Sequence, residues 1–145
     1  MPATPVFTNY NTSQLVVAGN AFYQFGTYTD SGSGSTILQG TVLGRVFSTG
    51  AIKPLVSSAT DGSQMPIGIA AETYVVSASA STTVNYVVSG EINSTMVIFS
   101  NGTDTLATTV MTEGVGGTIG DMIIRNTQLL IQNTLDVSRY DNPAM

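Results

Sequence analysis

Residues 39–71 read QGTVLGRVFSTGAIKPLVSSATDGSQMPIGIAA, and this stretch decides the fold. Two apolar runs rich in β-branched residues, 41–47 and 66–71, lie on either side of a short apolar segment at 52–56. Turn-forming clusters of Gly, Ser, Thr and Asp separate the three segments. Apolar runs bounded in this way predict a small antiparallel β unit in which the chain reverses direction twice.

Four residues within this stretch give local predictions. Gly44 lies inside a strand pattern, which indicates a β-bulge or a close approach of another backbone segment. Pro54 and Pro66 lack the N–H that a central strand donates, so we expect each at a sheet edge or a strand end. Asp61 begins a DGS turn, in which its carboxylate bonds to nearby backbone and Gly accepts a positive φ.

Outside this stretch, the pattern predicts mostly strands. We interpret residues 14–30 as a two-stranded hairpin punctuated at Gly19 and Asn20. The further strands that we predict lie at 37–47, 66–76, 82–88 and 91–93. Val84, Tyr86 and Val88 should share one face of their strand, and Ser89-Gly90-Glu91 indicates a turn or a bulge.

The last third combines a hairpin signal with a helix. Asn101-Gly102 predicts a hairpin between an apolar run at 96–99 and a returning strand at 105–111. Residues 118–126 have apolar residues at helical spacing, Arg125 in the last turn and Asn126 as a stop. A terminal strand is expected at 129–131.

The predicted fold class is mainly β. We expect a small β-rich single domain, β-tulip or barrel-like, with one short helix near the C-terminus and an extended N-terminal arm. The arm comprises residues 1–13, the β-rich domain 14–131 and a polar tail 132–145. Phe7 and Tyr10 are the aromatic residues of the arm, and they either dock on another molecule or fold back on the chain's own core.

Charge is scarce in this chain. Charged residues make up 9% of it, against about 25% in an ordinary soluble domain. So few charges cannot cover a whole monomer surface, which favours an obligate assembly. The alternative is a β domain whose exterior consists of Ser, Thr, Asn and Gly.

The balance of charge excludes several partners. Nine acidic residues face four basic ones, giving a net charge of −5. The four cations, Arg45, Lys53, Arg125 and Arg139, are scattered, whereas nucleic-acid binding and anionic membranes require clusters. No apolar run approaches the ~20 residues that span a bilayer. The N-terminus lacks a signal-peptide pattern, so we expect synthesis in the host cytoplasm.

Catalytic and metal-binding patterns are missing. With no His and no Cys, neither a Ser-His-Asp nor a Cys-His arrangement can form in one chain, and zinc loses its usual ligands. Glu72, Glu91 and Glu113 are best interpreted as solvated residues rather than a glycosidase pair. The loops after Asp30 and Asn101 supply too few oxygen ligands for calcium. We therefore predict no enzyme, no cofactor, no metal and no small-molecule substrate.

Four motifs in order resemble a known family: GTVLGRV, TGAIKP, ATDGSQ and IGI, all within residues 39–71. They resemble the head decoration proteins of tailed bacteriophages, the capsid-stabilising family typified by the phage lambda decoration protein. The resemblance covers residues 39–90. It is weaker at 118–131, where IIR followed by LLI is similar to the family's short helix and last strand. Residues 91–117 look longer than the family core.

The resemblance implies a structural virion protein. A homotrimer would bind the major capsid protein on the outer surface of the expanded head at local threefold axes, and stabilise the capsid against internal DNA pressure. The arm would add a strand to an exposed sheet edge of the capsid. The residues expected to contact the capsid are Pro5, Val6, Phe7, Thr8, Asn9 and Tyr10.

A second class of function fits part of the pattern. A Ser/Thr/Gly-rich β domain would also suit a receptor-binding fibre tip, an adhesin or a carbohydrate-binding module. Sugar sites usually stack rings on aromatic side chains, and the chain has no Trp. Fibre proteins tend to contain repeats, and none is found. Another minor virion component, such as a tail-tube protein, is the remaining alternative.

Overall fold

The computed structural model describes residues 15–112 and 115–132. In chain order its elements are β1 Val16–Thr29, β2 Ser35–Ile37, β3 Val42–Arg45, β4 Ile52–Pro54, β5 Pro66–Ala70, β6 Tyr74–Val76, β7 Ser81–Asn93, a 3₁₀ turn Ser94–Met96, β8 Thr109–Thr112, β9 Val115–Thr118, α1 Ile119–Asn126 and β10 Gln128–Gln132. The mainly β class and the single short helix near the C-terminus are confirmed. The predicted arm and most of the tail lie outside the described residues.

Strand β7 is the centre of the main sheet. β1 pairs antiparallel along one of its edges, while β5 and β10 share the other, with β10 running parallel. β3 and β4 continue the sheet beyond β5. The small sheets β2–β6 and β8–β9 complete the described fold.

The main sheet curls, but its described strands do not close into a barrel. A Cβ atom added to Gly26 of β1 would lie 2.8 Å from Cγ2 of Ile52 in β4, so the first and last strands of the sheet touch. No hydrogen-bonded ladder joins these two strands in the described pairing. The barrel-like prediction is therefore correct for the curvature of the sheet, but the described strands do not form a closed barrel.

Both faces of the sheet carry buried apolar residues, although the described side chains of β1 are all partly or fully exposed. The helix face packs against α1, and its buried residues are Leu15, Val42, Leu55, Ile69, Val87, Ile92, Val110, Ile119, Met122, Ile123 and Leu129. The concave face lies inside the curl, and its buried residues are Ile37, Leu43, Ile52, Ala70, Val84 and Tyr86. As predicted, Val84, Tyr86 and Val88 share one face.

Several local predictions are confirmed. The pairing of β3 with β5 shifts register at Gly44, and a Cβ there would lie 2.0 Å from the carbonyl oxygen of Ser63. Pro66 opens β5, and Pro54 ends the outermost strand, β4. Helix α1 begins after Thr118, whose side chain accepts a hydrogen bond from the backbone of Asp121.

The predicted hairpin at 14–30 is wrong. Residues Val16–Thr29 form one strand along β7, and Gly19 and Asn20 fall where the register is irregular, between the pairs Ala18–Glu91 and Phe22–Ser89. Residues 91–93 likewise do not form a separate strand, because β7 continues to Asn93.

At Ser89-Gly90-Glu91, where the sequence predicts a turn or a bulge, the structure has a bulge. Gly90 has a φ of +127°. Val87 and Ile92, five residues apart, both face the helix side. Residues on one side of a regular strand are separated by an even number, so one residue of the ladder is displaced here.

Two predicted strands are each broken in two. A turn at Gln39 and Gly40 separates β2 from β3; Gly40 has a φ of +94°, and a Cβ there would lie 1.9 Å from the carbonyl oxygen of Met96. Residues 66–76 divide into β5 and β6, which belong to different sheets. Tertiary contacts with distant residues decide these breaks, and they leave little trace in local sequence.

The predicted Asn101-Gly102 hairpin is also wrong. Asn101 Oδ1 accepts hydrogen bonds from the backbone N–H groups of Thr103 and Asp104, which forms a local turn without paired flanking strands. The hairpin of this region lies later and joins β8 to β9. Asn side chains stabilise such turns with or without a following ladder.

Candidate interaction surface

Asp30 organises the loop that follows β1. Its Oδ2 atom accepts hydrogen bonds from the backbone N–H groups of Gly34 (2.8 Å), Gly32 (2.8 Å) and Ser79 (3.1 Å). The bond from Gly34, with help from the Ser35 hydroxyl and Gly32, holds the pKa of Asp30 well below its usual range. The loop at residues 31–34 is therefore fastened by the protein's own carboxylate.

Asp61 has the turn role that its sequence context predicts. Lys53 Nζ lies 2.6 Å from Asp61 Oδ2, while Ser63 donates its N–H and its hydroxyl to Oδ1. The hydrogen bond from Lys53, followed by those from Ser63, lowers the pKa of Asp61 well below its ordinary value. Both side chains of this ion pair are about two-fifths exposed (41% and 39%), so water screens the attraction and the pair contributes little to stability.

Asp104 ties the turn at Asn101 to the segment after β4. It accepts hydrogen bonds from the N–H (2.8 Å) and the hydroxyl (2.6 Å) of Ser57, and a third from Asn101. Burial raises the pKa of Asp104, but the bonds from Ser57 and Asn101 outweigh it, and the pKa is lowered.

These carboxylates are suited to holding turns. A glycosidase needs a carboxyl group whose pKa is raised enough to donate a proton. The resolved carboxyl pKa shifts in the described residues all go downward. Across 15–112 and 115–132, no three acidic residues gather as a metal site. Glu113, one of the candidate carboxylates, lies outside the described residues.

A groove of about 720 Å³ opens at the rim of the concave face. It is lined by Phe22, Gln24, Arg45, Met65, Pro66, Ile67, Tyr86, Val88, Ser89, Arg125, Asn126, Thr127 and Gln128. Apolar side chains form much of its wall, and two of the chain's four cations are present. No carboxylate is among the lining residues, although acidic residues outnumber basic ones in the chain.

Arg45 is held in place at this groove. It donates from Nη1 to the carbonyl oxygen of Gly50 and from Nη2 to the hydroxyl of Tyr86, both at 2.8 Å. The Tyr86 hydroxyl in turn donates to Gln24 Oε1 at 3.3 Å. These contacts fix a half-buried guanidinium between β3, β7 and β1.

A second, smaller depression of about 430 Å³ lies beside the first turn of α1. Leu106, Ile124 and Ile131 give it an apolar floor, and Asp121 lies at its border. Asp121 is exposed, and Ile124 is 49% exposed.

Large apolar side chains project elsewhere on the surface. Phe22 and Phe25 of β1 are 60% and 66% exposed, Phe47 is 74% exposed and Val75 is 83% exposed. Single exposed apolar residues are ordinary, but side chains of this size become favourable binding surface once a partner covers them.

The capsid-binding residues predicted from sequence, Pro5 to Tyr10, lie outside the described residues. Sequence reasoning missed the groove because β1, β3 and β7 bring together residues that lie far apart in the chain. The one signal present was an arginine inside a strand motif of a chain with very few charges. No helix of the described part is long and apolar enough to cross a membrane.

Taken together, these features describe a β-rich fold with exposed apolar side chains and a groove that contains two arginines. The family model described as bacteriophage lambda head decoration protein D matches residues 8–114, well over half of the 145 residues. The chain belongs to this family of phage head decoration proteins, a structural family whose members are part of the virion capsid. The comparison with curated proteins gave no match.

The match extends beyond residues 39–90, which the motif comparison covered. It includes residues 91–114, part of the segment that looks longer than the family core, and it begins within the arm, at Thr8. It ends before α1 and β10, so the similarity proposed for residues 118–131 lies outside the matched region.

Proposed function

We propose that this protein stabilises the phage head by binding its outer surface as a homotrimer at local threefold axes. The observation that carries the proposal is the family match over residues 8–114. Packaged DNA loads the shell from within, and the junctions between capsomers are its weakest points. A trimer at such a junction would hold three neighbouring units with one rigid body.

The N-terminal arm is the proposed attachment to the major capsid protein. Pro5, Val6 and Phe7 precede the matched region, while Thr8, Asn9 and Tyr10 open it. An extended segment can add a strand to an exposed sheet edge, and main-chain hydrogen bonds then supply affinity while alternate side chains supply specificity. Three arms on one trimer would gain avidity of roughly 10²–10⁴ over a single arm.

The sparse charge of the chain supports assembly. With 9% charged residues and a net charge of −5, long-range attraction to phosphate is absent and apolar contact is the available driving force. We accordingly propose protein partners, with no nucleic-acid, membrane or cofactor partner.

Deleting residues 1–13 tests the arm. The deletion variant should remain a trimer by light scattering, while its occupancy on expanded empty heads should fall by about 100-fold or more at limiting concentration. Deleting residues 133–145 is the matched control, because it removes a similar length of chain from the other end, and it should leave occupancy within about twofold. Unchanged occupancy after the N-terminal deletion would contradict the arm model.

The same assay tests the class of function. The intact protein should bind expanded heads saturably and leave compact proheads unoccupied. Absence of the protein from the outer surface of heads in cryo-electron microscopy would refute the proposed function as a whole.

A further inference from the structure

The groove contains a cation that has no anionic partner in the described chain. Arg45 uses two of the five N–H donors of its guanidinium, on Gly50 and Tyr86. In residues 15–112 and 115–132 the ion pair formed is between Lys53 and Asp61. A half-buried guanidinium with spare donors is matched best by a carboxylate, which it can bind through two parallel hydrogen bonds.

Phe22 projects beside this cation. It lines the same groove and is 60% exposed. This surface of the protein thus combines an exposed aromatic side chain, Phe22, with a positive charge, Arg45, that has no anionic partner in the described residues.

The depression beside α1 has the complementary features. Its floor is apolar, formed by Leu106, Ile124 and Ile131, and its volume of about 430 Å³ is ample for an aromatic ring. Asp121 at its border is exposed, and its carboxylate forms no hydrogen bond or ion pair in the described structure. This second surface therefore combines an apolar depression with a negative charge, Asp121, that has no partner in the described structure.

We propose that these two surfaces meet between neighbouring copies of the chain. Phe22 of one copy enters the depression of the next, and Asp121 of that copy binds Arg45. The inference rests on the proposed trimer and assigns its subunit contact. Two different surfaces that bind each other make a heterologous interface, which closes into a ring when the rotation allows it.

The position of α1 suits such a ring. Its last turn borders the groove through Arg125, and its first turn borders the depression through Asp121. Both surfaces therefore adjoin one helix of eight residues, so each copy can present both to its neighbours around a common axis.

Cysteine cross-linking tests the contact, because the chain has no cysteine of its own. Phe22→Cys and Ile124→Cys chains are coexpressed, and oxidation should give a disulfide-linked dimer on a non-reducing gel. Neither variant alone should give it. Phe25→Cys with Ile124→Cys is the matched control, since Phe25 lies on the same strand and is 66% exposed, and it should remain unlinked. A trimeric sample without the 22–124 link would overturn the proposal.

Charge reversal tests the ion pair. Asp121→Arg should weaken trimer association by about tenfold or more, measured by sedimentation over a concentration series. Glu72→Arg makes the same change in net charge at another exposed carboxylate and should leave association within about twofold. The double variant Arg45→Asp, Asp121→Arg should recover most of the loss. Failure of the swap to restore association, with an unchanged thermal midpoint, would show that these two residues do not pair.

Two outcomes separate this inference from the proposed function. If Asp121→Arg leaves the trimer intact but abolishes occupancy on heads, the surface belongs to the shell protein, and the subunit contact is wrong while the decoration function stands. If the intact protein forms no trimer in solution or on heads, both proposals fail.

Discussion

The two faces of the main sheet are buried by different means. The helix face is covered by α1 and the segments around it, and the apolar cluster there contains eleven buried residues. The concave face has six, and one of them, Tyr86, directs its hydroxyl to Arg45 and Gln24 at the rim of the groove. The cluster on the helix face consists of aliphatic side chains and Met122, whereas the cluster on the concave face includes a tyrosine whose hydroxyl reaches polar groups at the rim of the groove.

The largest expected effect is on the helix face. Ile123 is fully buried against the sheet, while the next residue, Ile124, is 49% exposed. Ile123→Ala should lower the free energy of unfolding by about 3–4 kcal/mol, because it removes buried methyl groups and leaves a cavity. Leu130→Ala, at a position of β10 that is 54% exposed, is the control and should cost less than about 1 kcal/mol. Equal losses in chemical denaturation would contradict the assignment of the faces.

An intermediate effect is expected where the sheet curls. A Cβ at Gly26 would approach two atoms of Ile52 within 3 Å, and Ile52 is 1% exposed. Gly26→Ala should therefore cost about 1–3 kcal/mol of stability through overpacking.

A double-mutant cycle isolates that contact. In an Ile52→Ala background the space at Gly26 is free, so the second substitution should cost almost nothing. Additive losses from Gly26→Ala and Ile52→Ala would show that β1 and β4 do not touch.

The smallest expected effect is on the thermal stability of the protein at acidic pH, and it concerns the loop before β2 beside the concave face. Asp30 fastens the loop before β2, and β2 contributes Ile37 to that face. The pKa of Asp30 is lowered in the folded state from an ordinary value of 3.8, so its contribution is fully present above pH 4 and is lost as the pH falls below it. Asp30→Asn should flatten the decline in thermal midpoint below pH 4, and Glu72→Gln, at an exposed carboxylate, serves as the control. If the thermal midpoint of the variant falls below pH 4 as steeply as that of the unmodified protein, Asp30 does not have the proposed role.

Local chemistry explains which parts of the fold the sequence could predict. The turn at Asp61 and helix α1 depend on residues close together in the chain, and the bulge at Gly44 is indicated by a glycine inside a strand pattern; all three were predicted correctly. The break at Gly40 depends on Met96, and the unbroken course of β1 depends on β7. Pairings over such distances leave no local pattern, so the sequence suggested a longer strand in one place and a hairpin in the other.

The candidate surface was still harder to predict, for the same reason. The motif GTVLGRV drew attention to Arg45, but only the fold brings it beside Phe22 and Tyr86. The predicted arm residues, Pro5 to Tyr10, rest on the resemblance to decoration proteins, and their role stays a prediction.

The parallel pairing of β10 with β7 has a consequence for biosynthesis. Among the described residues, this edge of β7 from Ser89 to Asn93 pairs with Gln128–Gln132, so this part of the ladder stays open until residues 128–132 have left the ribosome. Such late, distant pairings slow folding and delay completion of the sheet. A polypeptide released before residue 128 would lack Leu129 and keep a bare strand edge. An unpaired strand edge can pair with other chains, so truncated products of this kind would be prone to aggregation.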